Sequence, residues 1–172
     1  MTMKTAAVTF KGKPLTLIGQ MPEIGQPAPD AQLVANDGST VRLSDFFGKN
    51  KKTILVAVPS LDTSVCAIET RRFDKEAANI DPDVQILVIS MDLPFAQSRW
   101  CNSVGIQNIR TLSDHKEASF GKAYGVLIEE LRLLARSVFE VDSVGILRYR
   151  QLVDEMTHEP DYDEVLNAVR NL

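Results

Sequence analysis

The sequence predicts a single α/β domain over residues 1–172, with a mixed central sheet flanked by helices and a β-hairpin ahead of it. Three observations predict it. Thr53–Val58 and Val84–Ser90 are nearly all apolar and rich in β-branched residues, the signature of strands covered on both faces. The stretch between them is rich in Glu, Arg, Lys and Ala, so strand, helix and strand follow one another as a crossover unit with parallel strands. Arg136–Val141 and Ile146–Leu152 flank Asp142-Ser143-Val144-Gly145 as a hairpin, and a helix follows it.

Ala7–Phe10 and Leu15–Ile18 are short β-prone runs around the turn Lys11-Gly12-Lys13-Pro14, giving a hairpin within residues 1–20. Pro22 to Asp30 is rich in Pro and Gly and reads as an extended loop. Gln32–Val34 and Val41–Leu43 form a strand pair about Asn36-Asp37-Gly38, and Ser44 caps a short turn that Gly48 ends. Lys49–Lys52 is a solvated basic turn before the first buried strand, which Pro59 closes. A helix runs from about Thr63 to Asn79, and another over Phe95–Val104 behind Pro94. Ile109–Leu112 is a short strand. Asp114 and Glu117 resemble a capping box for a helix to about Tyr124, which Gly125 stops. Tyr162, Val165, Leu166 and Val169 recur at i, i+3, i+4 and i+7, so the last helix lies on the sheet.

Composition bounds the function. The chain has 172 residues, 44% hydrophobic and 24% charged, enough for a packed core without staples. Nineteen Lys and Arg against 23 Asp and Glu give a net charge of −4, and a mildly acidic chain without a basic run is a poor partner for nucleic acid or anionic lipid. No apolar run approaches the roughly 20 residues that span a bilayer. The first ten residues lack the apolar segment of a secretory signal, which points to the cytoplasm. Two cysteines, Cys66 and Cys101, and two histidines are too few for a disulfide framework, and no Cys-x-x-Cys pair exists, so neither a metal nor a cofactor is expected.

The informative stretch is Val58-Pro59-Ser60-Leu61-Asp62-Thr63-Ser64-Val65-Cys66. It follows a buried strand and opens a helix, where sites form in open α/β sheets. The positive end of a helix favours a thiolate over a thiol. The residues alone leave other readings open. Cys66 also suits a small, inert core position. Thr63 suits an N-cap, Pro59 a strand terminus and Arg136 a surface position. His115 and His158 are the only candidates for a Cys–His hydrolytic pair, and neither sits in a catalytic motif.

Pro59-x-x-x-Thr63-x-x-Cys66 resembles the active-site pattern of the peroxiredoxins, and the wider text resembles their bacterial thiol peroxidase branch, the atypical two-cysteine kind. The likeness extends to Asp92-Leu93-Pro94-Phe95-Ala96-Gln97-Ser98-Arg99 ahead of Cys101, to Gln151-Leu152-Val153-Asp154-Glu155, and to Glu159-Pro160-Asp161-Tyr162, so it covers nearly the whole chain. The resemblance implies a thioredoxin-like fold and the reduction of hydrogen peroxide and organic hydroperoxides in antioxidant defence. It places Cys66 at the peroxidatic cysteine and Cys101 at the resolving one, joined in an intramolecular disulfide that thioredoxin reduces. It gives Thr63 and Pro59 the positions that hold the peroxide and shield the sulfur, and Arg136 the one that completes the pocket. A homodimer is implied as well. A thiol–disulfide redox sensor without efficient turnover is the alternative. Closing that disulfide is expected to loosen the chain around both cysteines, because a disulfide needs Cα atoms within about 7 Å. Glu129-Glu130-Leu131-Arg132, ahead of Arg136, lacks the Gly or Pro expected of a flexible loop there.

Overall fold

A computed structural model describes residues 4–172, apart from the side chains of residues 5–7; the first three positions of the predicted hairpin lie outside it. Strands β1 (Lys4–Phe10) and β2 (Lys13–Ile18) pair antiparallel. Their turn is only Lys11-Gly12, both at positive φ, which matches the twist of a tight hairpin. Strand β3 (Gln32–Val34) pairs with β4 (Thr40–Arg42). The expected strand Val41–Leu43 therefore starts and ends one residue early, and Leu43 opens a 3-10 turn to Phe46. The Asp30 carboxylate, not the Ser44 side chain, secures that turn by accepting from the Ser44 N–H.

The crossover unit forms as read. Strand β5 (Lys52–Ala57), helix α1 (Ser64–Ala77) and strand β6 (Val84–Ser90) lead to α2 (Pro94–Val104) and β7 (Arg110–Ser113). β5 pairs parallel with β6, and β6 with β7. Pro94 occupies the first turn of α2, where its missing N–H costs nothing. Helix α3 is shorter than expected, Ser119–Ala123. Ala118 before it is left-handed, at φ 49, so the helix cannot start nearer Asp114. The capping box does not form. Glu117 is exposed, whereas the buried Asp114 carboxylate accepts from the N–H groups of Phe120 and Gly121. Gly125 ends α3 as read, at φ +67, where a Cβ would lie 2.5 Å from the Gln20 backbone.

Two short strands escape the sequence reading, β8 (Leu127–Ile128) and β9 (Leu133–Leu134). Two apolar residues each carry no periodicity. They add to the N-terminal hairpin as a four-stranded sheet, in order β1-β2-β8-β9. Arg132 takes the left-handed corner between them, at φ 51, so no Gly or Pro is needed. Strands β10 (Ser137–Val141) and β11 (Leu147–Leu152) and helix α4 (Tyr162–Arg170) complete the chain. The central sheet has the order β11-β10-β5-β6-β7-β3-β4.

Alternation along β5 and the residue after it divides the core. Ile54, Val56 and Val58 join Phe73 of α1 and Val165 and Val169 of α4 on one face. Leu55 and Ala57 join Phe120, Tyr124 and Phe139 and the four-stranded sheet on the other. Residues 54–58 are all sealed from solvent, and each large apolar side chain so buried stabilises by about 1.5–3 kcal/mol. The sheet is thus held rigidly between two layers, and the loops at the carboxyl ends of β5 and β6 lie side by side because Ala57 pairs with Ile89.

Candidate active site

Pro59 is buried where the chain leaves β5, and Thr63 occupies the N-cap position of α1. Cys66 lies in the first turn of that helix, fully buried against the core. Arg136 arrives from the opposite direction. Ser137 pairs with Ala57, so the residue before it stands beside the end of β5. Far from being a surface residue, Arg136 is 1% exposed.

The guanidinium organises the site. Its Nη1 donates to the Cys66 sulfur at 3.4 Å and also to the Glu69 carboxylate. Nη2 donates to the Met156 carbonyl at 2.9 Å. Nε is buried and has no partner among the described residues. Burial opposes the charge of Arg136, but Glu69 and Cys66 beside it hold its pKa above the ordinary arginine value. Burial pushes the Glu69 carboxyl up to about 7, against the pull of Arg136. A fixed cation and the positive end of α1 therefore converge on one sulfur.

Thr63 answers a question the sequence leaves open. It stands at the N-cap but does not cap; its hydroxyl donates to the Ser60 carbonyl at 2.8 Å. Its proton is thereby committed, and its lone pairs are left to accept. Among the described residues no side chain caps the first-turn N–H groups of α1, which remain donors. These groups border a cavity of about 240 Å³ lined by Phe10, Pro59, Thr63, Val65, Arg136 and Met156. Sequence reasoning misses Glu69, Phe10 and Met156. Glu69 follows Cys66 by one helical turn, a spacing that could have flagged it. Phe10 and Met156 are distant in sequence and meet only through the fold.

Cys101 is placed elsewhere. It is a free thiol on α2, half-buried, with its sulfur 3.7 Å from the Thr111 hydroxyl. Burial pushes its pKa up. Cys66 is likewise free, so the two sulfurs are separate, with different partners. Among the described residues neither His115 nor His158 makes a side-chain hydrogen bond to Cys66, which removes the geometric basis for a Cys–His pair. No group of three His, Cys, Asp or Glu among them is arranged to hold a metal, and no helix is long and apolar enough to cross a membrane.

Residues 23–166 match the family described as Redoxin. The chain is 49% identical to a thiol peroxidase of Halalkalibacterium halodurans, covering 96% of this chain and 98% of that protein. It is 53% identical to one from Oceanobacillus iheyensis, covering 93% and 96%. The crystal structure of a peroxiredoxin-like protein from Aquifex aeolicus superposes with a TM-score of 0.89 at 42% identity, covering 98% of each chain.

Proposed function

We propose, from the premise that this chain belongs to the redoxin family and is a peroxiredoxin-type oxidoreductase, that it reduces hydrogen peroxide and organic hydroperoxides at Cys66 and recycles through Cys101. The observation that carries the reading is the Arg136 donor 3.4 Å from the Cys66 sulfur beside an open cavity. Peroxide enters along that cavity. The Cys66 thiolate attacks the terminal oxygen in line; an S–O bond forms as the O–O bond breaks. The departing oxygen takes a proton and leaves as an alcohol, or as water, and Cys66 becomes a sulfenic acid. Thr63 accepts from the peroxide hydroxyl, while Arg136 and the first-turn N–H groups stabilise the charge that builds on the oxygens. Pro59 keeps bulk water from the sulfur.

In the second step the Cys101 thiol condenses with the sulfenic acid, releasing water and forming the Cys66–Cys101 disulfide. The chain around both residues opens for this to happen. A thioredoxin dithiol then reduces the disulfide and is itself oxidised. The reading includes a cytoplasmic homodimer, in a compartment where thiols are kept reduced.

The test is a thioredoxin-coupled peroxidase assay. Cys66→Ser is expected to abolish turnover. Cys101→Ser is expected to permit one oxidation, then stall and accumulate sulfinic acid at Cys66 by mass spectrometry. A wild-type protein that oxidises once without sustained thioredoxin consumption would instead be a redox sensor.

A further inference from the structure

Asp92 stands two residues before the first residue of α2, at the carboxyl end of β6. Its carboxylate reaches across to the neighbouring loop, between β5 and α1. One oxygen accepts from the Ser60 hydroxyl at 2.6 Å; the other accepts from the Leu61 N–H at 2.8 Å and the Ser90 hydroxyl at 2.7 Å. Ser90 in turn accepts from the side-chain amide of Gln97 at 3.0 Å. Gln97 is fully buried in α2 and lies one helical turn before Cys101. On the other side, the Ser60 carbonyl receives the Thr63 N–H at 3.1 Å and the Thr63 hydroxyl. A continuous hydrogen-bond chain therefore runs from the helix of Cys101, through Gln97, Ser90, Asp92 and Ser60, to the N-cap of the helix of Cys66.

We propose that Asp92 is the latch that holds the Cys66 loop and the Cys101 helix in the closed arrangement, and so sets how fast the sulfenic acid is resolved. The proposal rests on the Cys66–Cys101 disulfide of the preceding reading. Only the closed arrangement keeps the Cys66 sulfur beside Arg136, where peroxide is met. Only an opened one lets Cys101 reach it, condense and release water. Among the described residues Asp92 is the single side chain bonded to both the loop of one and, through Ser90 and Gln97, the helix of the other. Asp92 touches no reacting atom, so it is a positioning residue.

Asp92→Asn keeps the size of the side chain but turns an N–H group toward donors that a carboxylate accepted. A part-buried hydrogen bond to a charged group shifts such an opening equilibrium by about tenfold or more. Stopped-flow fluorescence of Trp100, calibrated by thiol trapping, separates the peroxide step from the disulfide step. Disulfide formation is expected to rise about tenfold, while the peroxide step stays close to wild type because the closed form remains the majority. More peroxide should be needed to over-oxidise Cys66. Ser60→Ala, which removes one of the three hydrogen bonds to the carboxylate, is expected to act in the same direction and less strongly. General misfolding would slow both steps. Unchanged or slower disulfide formation in both variants overturns the latch while leaving the disulfide itself intact. Absence of any Cys66–Cys101 disulfide in the wild type overturns the pairing, and the latch with it.

Discussion

Glu69 and Arg136 form an ion pair whose side chains are 0% and 2% exposed, beside the Cys66 sulfur. A buried guanidinium and a buried carboxyl are tolerated there because each gives the other a hydrogen-bond partner. Removing one strands its partner. Glu69→Ala is therefore expected to lower stability by about 3 kcal/mol or more, read as a shift in the urea midpoint. Glu69→Gln keeps an acceptor for Arg136 and should lose less. A fully stable Glu69→Ala protein would show that solvent reaches the guanidinium.

Arg136 serves three acceptors at once, Cys66, Glu69 and the Met156 carbonyl. Lysine carries the same charge on a single nitrogen and cannot reproduce a planar fork. Arg136→Lys is expected to reduce the rate of Cys66 oxidation by about a hundredfold, the usual cost of losing a preorganised donor at a developing oxyanion. Single-turnover oxidation of Cys101→Ser with and without the substitution measures it. A loss confined to the recycling step would place Arg136 outside the peroxide chemistry.

What is legible in the sequence follows from how physical constraint is written there. Thr53–Val58 and Val84–Ser90 are covered on both faces, so nearly every position is apolar and the strands announce themselves. Cys66, Thr63 and Pro59 fall within eight residues, and the strand-to-helix junction that unites them is local. Arg136 is found through resemblance alone, because its burial depends on the pairing of Ser137 with Ala57. The strands at Leu127–Ile128 and Leu133–Leu134 exist only because the N-terminal hairpin supplies an edge for them. The start of α3 is not legible because Ala118 adopts a left-handed conformation that its residue type does not signal.

Phe10, at the tip of the N-terminal hairpin, lines the cavity with Val65 and Met156. An apolar wall gains energy from an apolar substituent and nothing from a second hydroxyl. Phe10 is 39% exposed, so its removal leaves no core void. Phe10→Ala is expected to slow oxidation by an aromatic organic hydroperoxide roughly tenfold, because the ring no longer shields the apolar substituent from water. Oxidation by hydrogen peroxide should stay nearly unaffected. Equal losses with both oxidants would mean that the hairpin supports the site without touching substrate.

Glu140 supplies a last prediction, away from the chemistry. It lies in β10, opposite Ile54 and Tyr149, and is fully buried with neither carboxylate oxygen hydrogen-bonded among the described residues. Burial pushes its pKa from an ordinary 4.5 to about 8. In the fold the neutral acid is preferred, whereas the unfolded chain releases the proton near 4.5. Its contribution is fully present below that value and is lost as pH rises toward 8. Each pH unit in the window costs about 1.4 kcal/mol for one such group. Glu69, raised to about 7, and Asp114, raised to about 6, act with the same sign, so the total slope does not isolate Glu140. A difference between variants does. Glu140→Gln cannot ionise, and its stability relative to wild type should climb steadily from about pH 5 to about pH 8, by about 4 kcal/mol in all. Urea midpoints at half-unit intervals follow it. Parallel curves would mean that Glu140 already carries its charge inside the fold, with a partner or water reaching it, and that burial has not enforced neutrality.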